Sequence, residues 1–223
     1  MDRHKGLYRG GFIMMENGKK TAVTLIPGDG IGPEIIQGVK KIVGKVTDRI
    51  VWDEVNAGES MFNQYGELIP QAVYDSIEKN KIALKGPITT PIGHGFKSIN
   101  VSLRQRYDLF TNLRPVISSG NNTKYEGIDL VIFRENTEGL YIGIEYDVDE
   151  NISQAIKVIS TVKSQRIIRE AFEYALKNNR DKVTLVHKAN IMKKTDGKFL
   201  KIGQEISKEY DNIEFESVIV DNM

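Results

Sequence analysis

Residues 22–26 read A-V-T-L-I, and the run is closed at once by P-G-D-G-I-G-P at 27–33. A short apolar segment ended by proline and glycine is the pattern of a buried strand. Helical spacing follows in Ile35, Ile36, Val39, Ile42, Val43 and Val46, with Pro33 suited to a first helical turn. Residues 50–55 read as a second strand. A short helix opened at Pro70 carries Ala72, Val73 and Ile77, and 82–84 make a third strand. Strand, helix and strand alternating at this spacing predict parallel pairing through crossover helices, which places the chain in the α/β class.

The pattern restarts beyond Pro115. Residues 130–133 read as a strand, and 141–146 alternate like an exposed hairpin arm. Ser160 caps a helix with Val162, Ile168, Ala171, Phe172, Ala175 and Leu176 on one face. Strands at 183–186 and 215–220 flank a helix marked by Phe199, Ile202 and Ile206. The expected division is an N-terminal extension at 1–20, the first part of a large α/β domain at 21–114, and a small α/β domain at 115–223. Residues 113–117 mark the boundary, with 118–122 as loop.

Composition narrows the function classes. Lys plus Arg number 31 against 30 Asp plus Glu, so no global field argues for nucleic acid or an acidic membrane surface. No stretch approaches the roughly 18 apolar residues of a membrane span. There is no cysteine, which removes disulfides, thiolate metal sites and a cysteine nucleophile together. A reducing compartment is compatible with that, and a cytoplasmic location is the expectation.

The glycine loop Gly28-Asp29-Gly30-Ile31-Gly32-Pro33 leaves two readings open. One is a dinucleotide-binding turn, with Asp53 about 20 residues on as the ribose partner. The other is a tight strand-to-helix turn, because Pro33 stands where that fingerprint needs glycine or alanine.

The chemistry concentrates between Ser98 and Tyr141. The run S-I-N-V-S-L-R leads to N-L-R-P and then F-R-E-N-T-E-G-L-Y, placing Arg104, Arg114 and Arg134 beside Ser98, Asn100 and Tyr141. Taken singly, each arginine reads as a solvated charge. Three together would suit a ligand with two or three carboxylates, since a planar guanidinium binds each through paired hydrogen bonds. These motifs, with the opening P-G-D-G-I-G-P-E and the later V-H-K-A-N-I-M-K, resemble the metal-dependent decarboxylating dehydrogenases of 2-hydroxy acids, the isocitrate/isopropylmalate dehydrogenase family, and within it the NAD-linked isocitrate branch. The resemblance runs from about Thr21 to the last residue.

The resemblance implies a two-domain α/β fold distinct from the Rossmann fold. It favours the tight-turn reading of the glycine loop, because family members bind the nucleotide on an H-G-x-A-P-D-I-A-G segment that this chain lacks. It implies oxidative decarboxylation of isocitrate to 2-oxoglutarate, a step of the tricarboxylic acid cycle. By position, Ser98 and Asn100 would touch the terminal carboxylate, and Arg104, Arg114 and Arg134 would clamp the others. Tyr141 would protonate the enolate, and Lys188, reaching a neighbouring subunit's cleft, would handle the alcohol proton. His187 reads as structural. Asp221, ending the last strand, matches the first of the family's metal-binding aspartates for magnesium or manganese, and Thr89 and Thr90 match the segment beside the nicotinamide. The implied cofactor is NAD, with NADP not excluded. The implied assembly is a homodimer or higher homo-oligomer with shared sites and a dimer clasp.

The remaining D-x-x-x-D aspartates belong downstream in the family. The expectation is therefore a chain incomplete at its C-terminus and inactive alone. Three rival readings stand beside it: a homoisocitrate, isopropylmalate or tartrate dehydrogenase; a non-catalytic subunit of a hetero-oligomer; and a plain phosphate- or nucleotide-binding module.

Overall fold

The structure is a computed structural model and describes residues 20–89, 98–118 and 124–223. The extension expected at 1–20 lies, but for Lys20, outside them. Two compact units divide the chain between Ser102 and Leu103.

The first unit contains β1 (Thr21–Ile26), α1 (Gly32–Val46), β2 (Ile50–Glu54), α2 (Glu59–Tyr65), α3 (Gln71–Asn80) and β3 (Ala83–Lys85). Its three strands are parallel in the order β2-β1-β3, as strand–helix–strand alternation requires. Central β1 buries Leu25 and Ile26 almost completely, and Ile26 packs with Ala57 and Val73. Thr24 is also fully buried, and its hydroxyl is satisfied by Ser76 Oγ at 2.7 Å and by Asn80 Nδ2 at 3.0 Å. Of the apolar stripe expected on α1, Ile36 enters the core, whereas Ile35, Ile42 and Val46 stay exposed. A three-stranded sheet offers the helix only a narrow shelf, so the stripe is wider than the surface that can cover it.

Helix α4 (Ile99–Arg106) crosses the division between the units. The second unit continues with β4 (Thr111–Ile117) and β5 (Asp129–Glu135), an antiparallel ribbon, and β6 (Glu145–Asp149) and β7 (Ile152–Ala155), a hairpin exposed at every residue. Then come α5 (Thr161–Lys177), β8 (Lys182–His187), α6 (Thr195–Ile206) and β9 (Glu214–Ile219), with β8 and β9 parallel. Phe172 of α5 is fully buried and stacks on Tyr210 at 4.6 Å between ring centres. Ile167, Ile168, Leu185, Ile202, Ile206 and Ile213 complete this core. Ser160 caps α5 as expected, accepting from the Lys163 amide at 3.3 Å.

Three expectations are corrected here. The boundary between 114 and 115 falls inside β4, which pairs with β5 along its whole length; a two-stranded ribbon leaves β4 an edge, where Pro115 is tolerated. The arm expected at 141–146 starts later, because Leu140–Ile142 form a 3-10 turn ended by the left-handed Gly143. On α5, Val162 and Leu176 are exposed, and Ile167 takes the buried place instead.

Candidate active site

The glycine loop closes on protein rather than opening to a ligand. A Cβ at Gly28 would lie 1.8 Å from the Pro87 carbonyl oxygen, and one at Gly32 would lie 2.4 Å from that of Pro27. Gly28 also needs a φ of +80°, which glycine adopts without strain. Gly28 and Gly32 therefore serve close backbone packing, the tight-turn reading of the sequence. Asp53, the residue that suggested a ribose partner, instead accepts from Ser76 Oγ and Asn80 Nδ2, both at 2.9 Å. The Asn80 and Ser76 hydrogen bonds hold its carboxyl below the usual range.

Asp29, at the tip of the same loop, accepts the Thr89 amide at 2.6 Å and the Glu59 amide at 3.0 Å. Burial pushes its carboxyl up, but the amide bonds from Glu59 and Thr89 and the charge of Lys85 outweigh it, and the net shift is downward. A carboxyl depressed on folding stabilises above its unfolded pKa near 4, and that contribution is lost as pH falls through the folded value. Asp29→Ala is expected to destabilise the protein by about 1–3 kcal/mol at pH 7, by leaving two amides without their acceptor. Urea midpoints of wild type and variant should draw together as the pH falls below the unfolded pKa near 4 and on through the lower folded value. Thr89, expected near the cofactor, is exposed and held by this latch; Thr90 lies outside the described residues.

In the second unit the ribbon brings two of the three arginines together. Asn112 pairs with Arg134 across the ladder, and Arg114 lies two residues on, so Asn112, Arg114 and Arg134 share one face. Arg114 Nε donates to Asn112 Oδ1 at 2.9 Å. Arg134 donates to the Tyr141 hydroxyl at 2.7 Å, its guanidinium 5.2 Å from the ring centre. Arg104 is half-buried on α4, and its neighbour Gln105 donates to the Tyr141 carbonyl at 3.2 Å. Ser98 immediately precedes α4 and Asn100 sits in its first turn, both half-buried. Arg134 and Tyr141 line one side of a cavity of about 830 Å³ whose other walls include Lys157, Met192, Asp196 and Phe199.

The rest of the R-E-N-T-E-G-L-Y motif is scaffold. Glu135 accepts from the Thr137 amide and hydroxyl, and buried Glu138 accepts from the Ser160 hydroxyl at 2.6 Å. Arg166 is the residue that sequence reasoning missed. From α5 it grips Asp108 with two bonds of 2.6 and 3.0 Å, reaches Glu135 at 3.2 Å and Thr137 Oγ1 at 2.7 Å, and lies over the Phe110 ring at 4.2 Å. These contacts tie the segment that follows Arg134 to the turn that precedes β4, and they draw the Asp108 carboxyl below its usual range. Lone arginines at helical spacing carry no signal that would have singled it out.

Lys188 follows β8, and Asp221 lies in a 3-10 turn (Val220–Asn222) just past β9 rather than at the strand's end. The parallel register of β8 and β9 brings them together, and Lys188 Nζ forms an ion pair with Asp221 Oδ2. That bond lowers the Asp221 carboxyl. Among the described residues, no hydrogen bond or ion pair joins this pair to Arg114, Arg134 or Tyr141. Nor do the described residues hold any group of three carboxylates or imidazoles fit for a metal ion. Asp221 can offer one ligand, and one carboxylate does not make the shell of a hard divalent ion. His187, read as structural, is buried and accepts the Ala189 amide at Nδ1, 3.0 Å away.

Comparison with known proteins bears on what this arrangement does. A sequence model described as isocitrate/isopropylmalate dehydrogenase matches residues 22–223. A regulatory component of the mitochondrial NAD isocitrate dehydrogenase of Dictyostelium discoideum is 47% identical over 205 residues, covering 90% of this chain and 55% of that protein. Subunit 2 of the Saccharomyces cerevisiae mitochondrial enzyme is 45% identical, covering 91% and 55%. The chain thus spans about half the length of the curated relatives it matches. A crystal structure of isocitrate dehydrogenase from Methylococcus capsulatus superposes with a TM-score of 0.85 at 48% identity, covering 91% of this chain and 61% of that one. The expected fold is therefore shown. The cytoplasmic location is overturned, since these curated relatives are mitochondrial proteins; an absence of cysteine carries no address.

Proposed function

The chain belongs to the isocitrate/isopropylmalate dehydrogenase family, and from that premise we propose that it forms part of an NAD-linked enzyme that oxidises isocitrate and decarboxylates it to 2-oxoglutarate. The observation that carries this reading is the Arg134–Tyr141 pair beside Arg114 on one ribbon face. Two guanidinium forks on one face suit adjacent carboxylates of one acid, and a tyrosine hydroxyl bonded to a cation is placed to give up a proton. Ser98 and Asn100, polar at the opening of α4, favour a terminal carboxylate over an alkyl group.

In this reading Arg104, Arg114 and Arg134 bind and orient the acid. Lys188, once it has left Asp221 and released a proton to solvent, takes the alcohol proton as the neutral amine, and Tyr141 returns a proton to the carbon that loses carbon dioxide. NAD, when bound, accepts the hydride, and Thr89 would meet its nicotinamide end. Asp221 is the one residue here that would contribute to a magnesium or manganese site, whose shell these residues do not complete. The exposed β6–β7 hairpin would serve as the clasp between subunits. The relatives are named as regulatory and numbered subunits, so the proposed assembly joins unlike subunits rather than copies of one chain alone.

The Dictyostelium match favours a second reading, a regulatory role that keeps the acid-binding face without turnover. In the active assembly, Arg134→Ala is expected to lower kcat/KM for isocitrate about a hundredfold, the loss of two charge-assisted hydrogen bonds. Steady-state assays on isocitrate, homoisocitrate, isopropylmalate and tartrate check both acid and residue. An unchanged kcat/KM would remove the clamp, and turnover unaffected by Arg134→Ala with altered activation would favour the regulatory reading.

A further inference from the structure

The turn that carries Lys188 is held by a dense set of backbone bonds, and one buried carboxylate anchors it. Asp196, in the first turn of α6, is 7% exposed. Its Oδ2 accepts the Lys188 amide at 2.7 Å, and its Oδ1 pairs with Lys157 Nζ. The Lys188 carbonyl accepts the Ile191 and Met192 amides at 3.1 and 2.9 Å, and the next amide, that of Ala189, is taken by His187. The Lys188 side chain stands outside this set of bonds and reaches Asp221.

The N-cap of α6, Lys194, makes no side-chain capping bond, and Asp196 is not spent on the helix's own amides. Asp196 instead reaches eight residues back to the amide of Lys188, with both oxygens engaged. It does so on the wall of the cavity that also carries Arg134, Tyr141 and the apolar Val186 and Phe199. In such surroundings an unpaired carboxylate is costly, and the ion pair with Lys157 engages its second oxygen and fixes its geometry.

We infer that Asp196, with Lys157 as its counter-ion, is a positioning residue for Lys188. It fixes the direction in which the lysine leaves the backbone and so the point its amine can reach. The inference rests on the proposed role of Lys188 as proton acceptor. The cost of a misplaced reacting group, about a hundredfold for a displacement near 1 Å, sets the expected effect.

Two measurements test it. In the active assembly with isocitrate and NAD, Asp196→Ala should lower kcat about a hundredfold and leave KM for isocitrate within about threefold. Added to Lys188→Met it should cost less than about twofold more, because both changes remove one contribution. The neutral pair Asp196→Asn with Lys157→Met keeps an amide oxygen for the Lys188 N–H and strands no charge, so it should return kcat to within about fivefold of wild type. If Lys188→Met abolishes turnover while Asp196→Ala retains it, the positioning role is overturned and the role of Lys188 survives. If Lys188→Met itself retains turnover, the reading of Lys188 falls and takes the inference with it. Fully multiplicative losses in the double variant also overturn it. The second measurement needs no turnover. Hydrogen exchange at the Lys188 amide should quicken at least about tenfold in Asp196→Ala, with exchange in the middle of α5 unchanged. Unaltered exchange at Lys188 overturns the clamp whatever the kinetics show.

Discussion

Lys188→Met is expected to lower kcat for isocitrate oxidation in the active assembly by about a thousandfold, within the range that general bases contribute. KM for isocitrate should move little, because the arginines of the β4–β5 face, not the lysine, are proposed to bind the acid. The fold should be untouched. Lys188 is half-buried, its partner Asp221 is exposed, and a surface ion pair adds little to stability. The Lys188 backbone bonds to Asp196, Ile191 and Met192 do not depend on its side chain. Stopped-flow or steady-state traces of NADH formation, taken with a melting curve, separate the two quantities. A variant that turns over at the wild-type rate would show that another group accepts the proton.

Phe172→Ala should be the most damaging single change to stability. The side chain is completely buried, stacks on Tyr210 and lies 6.2 Å from Phe215, ring centre to ring centre. Deleting a buried phenyl ring costs about 3–5 kcal/mol, the lost transfer energy plus the cavity left behind. Neighbouring Gly203 argues that this core cannot relax to fill the hole. A Cβ there would already stand 2.3 Å from Leu185 Cδ1, so α6 lies hard against the Leu185 side chain. Urea denaturation followed by the tyrosine signal should show the midpoint fall with the slope unchanged. A loss under about 1 kcal/mol would mean that the aromatic cluster collapses inward and is far softer than its packing indicates.

Much of this is legible in the chain because local rules and tertiary structure agree. The A-V-T-L-I run is the central strand, Ser160 caps its helix, and His187 is structural in the way its setting suggests. Pro33 leaves the glycine loop open to two readings, which the family resemblance tips toward a tight turn, and the coordinates add the reason, a Pro87 carbonyl where a phosphate would need room. What fails, fails where partners decide. Apolar periodicity on α1 and α5 marks a stripe but not how much of it a neighbour covers, so it predicts for Ile35, Ile42, Val162 and Leu176 a burial they lack. The strand through Pro115 reads as a boundary because proline breaks most strands, and its tolerance at an edge is not a local property. Arg166 and Asp196 bond to residues that no spacing rule connects to them.

The bare flank of α1 has a consequence of its own. Ile31, Ile35, Ile42 and Val46 present apolar surface to solvent, and covering it with another apolar surface would be favourable. The first unit thus carries a standing appetite for company, weakest in the cold and growing with warmth.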